Sequence, residues 1–354
     1  MIHRLSEAQF PLRRTTSNDG AAAAASASSS SAVKQSWLSV INELLHHADP
    51  PVASLAIEAL PHFCSAYLHP DASDDDENES SSSSPSSSSP RSTLVRLYQD
   101  VVKNALQEKS CQGHCLALAA LPKFMFQGHL TSIVETLCAA ASLPVVAAAT
   151  PKPTATAPIT TTPTSTVEWA DARRDAVKAL AEVVSKVGFG VSDGRNHAAN
   201  GLNDTAVTPA LFESIFGVVL ASLGDYTTDS RGDVGSLVRE AGVVSLQRLV
   251  CFAASSSSSS SLLTPDFVSS AMKGIVQQSC EKINRTRAIA GKAFAAILWH
   301  EPEVPNVPEM TRLRAVFTRE MCGFGEEESA GKGDQASDSR IDWSSPASTF
   351  PLFR

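Results

Sequence analysis

The sequence predicts an all-α fold of stacked helical hairpins separated by disordered, Ser-rich inserts. Three observations carry this reading. Apolar residues make up 43% of the 354 positions but aromatics only 6%, with Ala and Leu dominant, a mix that suits helices better than a β-sandwich. Segment after segment spaces its apolar residues three and four apart. Runs of Ser, Thr, Pro and acid cut those segments, and they are too polar to bury the apolar surface that would order them.

Residues 1–32 are low-complexity and expected to be disordered. Trp37, Leu38, Ile41, Leu44 and Leu45 then share one helical face. Asp49-Pro50-Pro51 stops that helix and starts the next, whose stripe is Val52, Leu55, Ala56, Ala59, Leu60 and Phe63. An acidic and poly-Ser insert occupies 69–92. A second hairpin follows, with Leu94, Leu97, Val101 and Leu106 on its first arm and Cys115, Leu118, Ala119 and Phe124 on its second. Leu130–Ala140 opens a further pair, and 142–166 reads as an Ala/Thr/Pro linker. Trp169–Val187 is a clear helix ended by Gly188, followed by a polar insert at 189–206.

The next pair, Pro209–Leu223 and Ser236–Phe252, flanks a polar joint (225–241) longer and more charged than a helix connection needs. A poly-Ser insert lies at 253–262. Thr264-Pro265-Asp266 starts a helix to about Cys280, and Asn284–Trp299 is its partner. Three prolines hold 301–310 extended, a short helix is expected near 311–319, and 320–354 reads as a flexible tail. The hairpins echo one another. Ala59-Leu60-Pro61-His62-Phe63 returns as Ala120-Leu121-Pro122-Lys123-Phe124, and the runs that begin at Arg174, Arg239 and Arg287 share a pattern. Without the inserts the pairs repeat at roughly 40 residues, the period of HEAT or armadillo units. The domain expectation is therefore one HEAT/armadillo-like helical-hairpin solenoid over 33–319.

A net charge of −8 argues against a nucleic-acid partner. No run of about 18 apolar residues exists for a membrane span, and residues 1–20 do not read as a secretion signal. Seven cysteines without a repeated framework read as buried thiols in a reducing compartment.

The chemistry-bearing residues gather in the joint. Asp229, Asp233 and Glu240 fall at positions 1, 5 and 12 of a calcium loop, but Arg231 would stand at a ligand position and Val234 where the sharp turn needs Gly. Asp233 can cap the following helix through the amide of Gly235 or Ser236, and with Arg239 it fits an Asp–Arg ladder between repeats. Asp225, Tyr226, Thr227, Thr228, Asp229 and Arg231 have less scaffold duty and are the candidate partner-contact residues. Cys111, His114 and Cys115 could bring three ligands together on a helix, the basis of an alternative reading as a thiol or metal hydrolase. No phosphate loop of Walker or Rossmann type is present, so catalytic, cofactor and metal sites are all expected to be none.

The run Asp225-Tyr226-Thr227-Thr228-Asp229-Ser230-Arg231-Gly232-Asp233-Val234-Gly235, with Leu237-Val238-Arg239, resembles the signature of tubulin-specific chaperone D, the tubulin-folding cofactor D family. Other stretches agree in order: Ala119-Ala120-Leu121-Pro122 with Gly128 and Leu130, Ala172-Arg173-Arg174-Asp175 with Lys178-Ala179, and Glu281-Lys282-Ile283-Asn284-Arg285 with Arg287-Ala288. Pro305-Asn306-Val307-Pro308 and Asp342-Trp343-Ser344 with Pro346, Phe350 and Pro351 complete the series. Leu237 stands where the family usually has Trp.

The resemblance implies a middle-to-late portion of a longer HEAT-repeat chain. It also implies a cytoplasmic, cytoskeleton-associated scaffold that binds β-tubulin. With cofactors C and E, such a scaffold promotes assembly of the α/β-tubulin heterodimer and acts as GTPase-activating component, the hydrolysing site being tubulin's own. An ARF-like small GTPase is a further implied partner. The other binding reading is a generic HEAT-repeat adaptor for a different protein cargo.

Overall fold

A computed structural model describes residues 20–69, 89–142, 169–190, 206–256, 259–324 and 340–353, with the side chains of 20–31 excepted. The fold is all-α and built from helical hairpins, as expected. It divides into two compact units, one of Met1–Ala140 with Ala198–Ala206, the other of Ala141–His197 with Val207–Arg354.

The first unit contains α1 (Gly20–Leu44), α2 (Pro50–Tyr67), α3 (Pro90–Lys103), α4 (Glu108–Ala120) and α5 (Leu130–Ala141). α1 packs on α2, α2 on α4, and α3 on α4. Its core contains Ile41, Leu60, Phe63, Leu94, Tyr98, Leu118 and Ile133. The Tyr98 hydroxyl is satisfied by Asn42 Oδ1 at 2.7 Å. Three expectations shift here. α1 begins at Gly20, ahead of the boundary expected at 33, because an Ala run has high helix propensity. On α3 the inward row is Leu94, Tyr98 and Val102, which leaves Leu97 and Leu106 exposed. A row at i, i+4, i+8 needs no residue beyond the helix end at Lys103, whereas Leu106 lies past it. Leu55 is likewise exposed, while Ala56, Ala59 and Phe63 face inward.

The second unit is organised around α8. It contains α6 (Ala170–Val187), α7 (Pro209–Ala221), α8 (Gly235–Ala254), α9 (Pro265–Ser279) and α10 (Asn284–Leu298). α8 lies between α6 and α10 in one layer, with α7 and α9 against it in the second. This alternation lets each hairpin bury the face its neighbour leaves open. The outer helices start with side-chain caps: the Thr264 hydroxyl accepts from the Phe267 amide, at the start expected there, and that of Thr208 accepts from Leu211, each Thr being followed by Pro.

The expected flexible tail and the last Ser-rich insert differ most from the structure. Within 253–262, Ala253 and Ala254 still belong to α8, and Ser259 is buried with its hydroxyl donating to the Ala253 carbonyl at 2.8 Å. Within 320–354, residues 340–353 form a strap that contains α12 (Pro346–Thr349) and ends in a 3₁₀ turn (Phe350–Phe353), the short helix α11 (Met310–Val316) lying ahead of it. Trp343 is buried by Phe317, Phe294 and Phe353, its ring stacked on Phe317 at 6.1 Å. Four aromatics spread over 294–353 form one cluster, which a scan for contiguous periodicity does not detect. Residues 70–88, 143–168 and 191–205, which hold most of the other expected inserts, lie outside the described residues, as do 1–19 and 325–339.

Trp343 lies flat against Gly291 of α10, where a Cβ would enter the indole ring. Gly291→Ala is therefore expected to expel Trp343 and to cost about 1–3 kcal/mol. Hydrogen exchange over 340–353 should rise sharply in the variant; unchanged exchange there would refute the packing.

Candidate functional site

The joint between α7 and α8 folds as a clasp. After a short 3₁₀ turn (Ser222–Gly224), Thr228–Asp229 (β1) and Gly232–Asp233 (β2) pair antiparallel, with Thr228 opposite Asp233 and Asp229 opposite Gly232. Gly232 takes φ 104°, a backbone state that side chains disfavour.

Below this hairpin lies a row of buried guanidinium groups. Arg173 of α6, Arg239 of α8 and Arg287 of α10 are among the largest fully buried side chains. Each occurs in the first turns of a helix of the same layer. Arg173 Nε donates to Asp225 Oδ2 at 2.9 Å and its Nη2 to Thr227 Oγ1 at 3.1 Å. Arg239 donates from Nη2 to Asp233 Oδ2 at 2.9 Å and from Nη1 to the Asp225 carbonyl at 2.7 Å. Its Nε donates to Gln278 Oε1 at 3.2 Å. The Tyr226 ring lies over the same guanidinium, 4.0 Å from ring centre to Cζ, an attractive arrangement for a desolvated cation. The Tyr226 hydroxyl donates to Glu281 Oε1 at 2.8 Å. One arginine thus ties the hairpin to its own helix and to the turn after α9.

Asp233 has the cap role expected of it: its Oδ1 accepts from the Ser236 amide at 3.0 Å. The ladder also contains a link in the opposite sense to the one expected. Arg173 reaches forward to the acid of the following turn, Asp225. Gly235 permits this crowding, since a Cβ there would overlap the Asp225 carbonyl and the Thr227 amide.

Asp225 and Thr227 lie deeper than the other candidate contact residues. Asp225 is only 1% exposed. Thr227 is half-buried; its amide donates to Asp225 Oδ1 at 3.0 Å and its carbonyl accepts from Gly235 at 2.8 Å. Burial pushes the Asp225 carboxyl up, but Arg173 and Thr227 more than offset it and hold the group below the usual carboxylate range. The remaining candidates face water: Tyr226 is 49% exposed, and Thr228, Asp229 and Arg231 are exposed. Arg231 is held by Asp229 Oδ2 at 2.8 Å and by Asp171 Oδ2 of α6 at 3.2 Å. The three acids of the would-be calcium loop are separately engaged, Asp229 by Arg231, Asp233 by Arg239, and Glu240 by Arg285 and Thr286.

Arg173 and Glu281 enter the sequence reading only through the family resemblance, with no site role, and Gln278 does not enter it. The doublet Arg173-Arg174 held a clue, but the pattern of the repeats was set on Arg174, which is partly exposed and pairs with Asp171 and Asp175. Cys111, His114 and Cys115 are all buried. His114 is held by the Ser110 carbonyl at 2.8 Å and packs edge-on against Tyr98. Among the described residues, no three His, Cys, Asp or Glu side chains are placed to hold a metal ion. No helix among them is long and apolar enough to cross a membrane.

Residues 269–354 match the family model described as tubulin folding cofactor D C terminal. The match bears out the family resemblance over the last part of the chain. It takes in Gln278, Glu281, Arg287 and the Trp343 strap, and begins after the 225–241 joint. No solved structure matches the chain.

Asp225→Asn removes the buried carboxylate that Arg173 Nε bonds and is expected to cost about 3–5 kcal/mol at neutral pH. Because the folded-state pKa of Asp225 lies below its unfolded value, its contribution is complete above the ordinary carboxylate range and fades as pH falls through the folded value. The stability gap between wild type and variant should accordingly narrow between about pH 7 and about pH 3 in urea titrations. A gap independent of pH would exclude this role.

Proposed function

We propose, for a chain whose C-terminal part is of the tubulin folding cofactor D family, the role of a helical-repeat scaffold that holds β-tubulin. In this reading it works in the cytoplasm with cofactors C and E to assemble the α/β-tubulin heterodimer, and serves as the GTPase-activating component. Hydrolysis takes place on tubulin, and the chain contributes surface but no catalytic group. An ARF-like small GTPase is a regulatory partner in the same proposal. The observation that carries it is the family match over 269–354. What the geometry adds is a reason for the joint to be rigid. Tyr226, Thr228, Asp229 and Arg231 stand on a hairpin fixed from below by Arg239 and Arg173. A contact surface ordered in advance loses little conformational entropy on binding.

The test is capture of β-tubulin by the purified chain. Arg231→Glu combined with Thr228→Arg should weaken capture about tenfold or more while the melting temperature changes little, since both side chains are exposed. If no β-tubulin is captured and another cargo is enriched, the adaptor reading replaces this one.

A further inference from the structure

The face that α6, α8 and α10 turn to water carries a charge arrangement that the clasp does not use. Two of its cations stand outward over carboxylates at its base, and a third, Arg248, pairs with a carboxylate as exposed as itself. On α6, Lys178 is 53% exposed while its partner Asp175 is 6% exposed. Between α8 and α10, Arg285 is 60% exposed and Glu240 10%. Arg248 of α8 reaches across to Glu182 of α6 at 2.8 Å, and Lys292 of α10 is exposed one turn beyond the half-buried Ile289. Among these cations Val244 of α8 is 42% exposed, one turn from Glu240 and one turn from Arg248. The face therefore sets the exposed Val244 among outward cations, with Glu182 the exposed acid between them, on a chain whose net charge is −8.

We propose that this face is a docking surface for an acidic peptide segment of a partner protein, one that places an apolar side chain on Val244 and carboxylates on Lys178, Arg248, Arg285 and Lys292. Exposed ion pairs contribute little to stability, so Arg248 can exchange its intramolecular carboxylate for a partner's at small cost, while Arg285 can add a partner's carboxylate to the one it holds. Arg is also the charged side chain most suited to interfaces, because its guanidinium is weakly hydrated and bonds carboxylates in pairs. An acidic partner fits this surface; a basic one would meet the outward cations first. The face adjoins the Tyr226–Arg231 hairpin through the Arg231–Asp171 contact, so a partner seated on one can extend onto the other. The inference rests on charge and exposure within the second unit and stands independently of tubulin as the cargo.

The experiment titrates the full chain into a fluorescein-labelled glutamate peptide with a central Leu-Phe and follows anisotropy. Binding is expected to weaken with added salt, as exposed charge contacts are screened. Lys292→Glu should weaken it about tenfold. Lys273→Glu, the same charge change at an exposed position of α9 in the other layer, should leave it unaltered, and Val244→Ser should weaken it without altering the salt response. The proposal is overturned if the peptide does not bind, if the two lysine variants behave alike, or if a lysine peptide of the same design binds as well. Because the probe is a peptide, failure here leaves β-tubulin capture to be judged separately.

Discussion

The second unit depends on the burial of the Arg239 guanidinium. A fully buried cation is costly unless its donors are taken up, and here Asp233, the Asp225 carbonyl, Gln278 and the Tyr226 ring take it up together. Those partners come from the joint ahead of α8 and from the end of the outer helix that follows, and Arg239 itself belongs to α8. The need to satisfy one charge therefore sets the position of all three. Apolar contact between α6, α8 and α10 holds the layer together but tolerates sliding; directional bonds to a planar group do not.

The same reasoning explains why the turn is long. A helix connection needs only to reverse the chain. This one must also deliver a carboxylate to Arg173, a carbonyl and an aromatic face to Arg239, and a cap to α8. Asp225 supplies the carboxylate and the carbonyl, Tyr226 the aromatic face and Asp233 the cap, and Gly235 provides the close approach they require. The exposed tip is what remains after those duties. That division separates residues available to a partner from residues that shape the surface.

Much of this architecture is legible in the sequence because helix pairs announce themselves by local periodicity. Thr208-Pro209 and Thr264-Pro265 mark helix starts through chemistry confined to a few residues. The early start of α1 turns on local helix propensity, whereas the other misreadings involve partners distant along the chain. Tyr98 rather than Leu97 faces the core because Asn42 offers its hydroxyl a bond. Arg173 rather than Arg174 is buried because Asp225 meets it from 52 positions away. The strap that carries Trp343 looks like a flexible tail because its aromatic partners lie on α10 and just beyond α11. The family resemblance identified the joint as special but could not separate Asp225, which is buried, from Asp229, which is exposed.

The third member of the arginine row differs from the other two. Arg287 donates to the Glu281 carbonyl, to Asn284 Oδ1 at 2.8 Å and to the Ser344 carbonyl of the strap. Its Nε has no acceptor, and among the described residues no carboxylate pairs with it. A charge bonded by dipoles alone, with the Asp342 carboxylate and the Phe350 ring near it but not bonded to it, is held less firmly than one bonded directly to an opposite charge. The row is thus graded, firm at α6 and α8 and soft at α10. Under thermal or mechanical load the unit should open from the strap inward, releasing Trp343 before the clasp gives way, so the hairpin at its centre outlasts the end of its own scaffold.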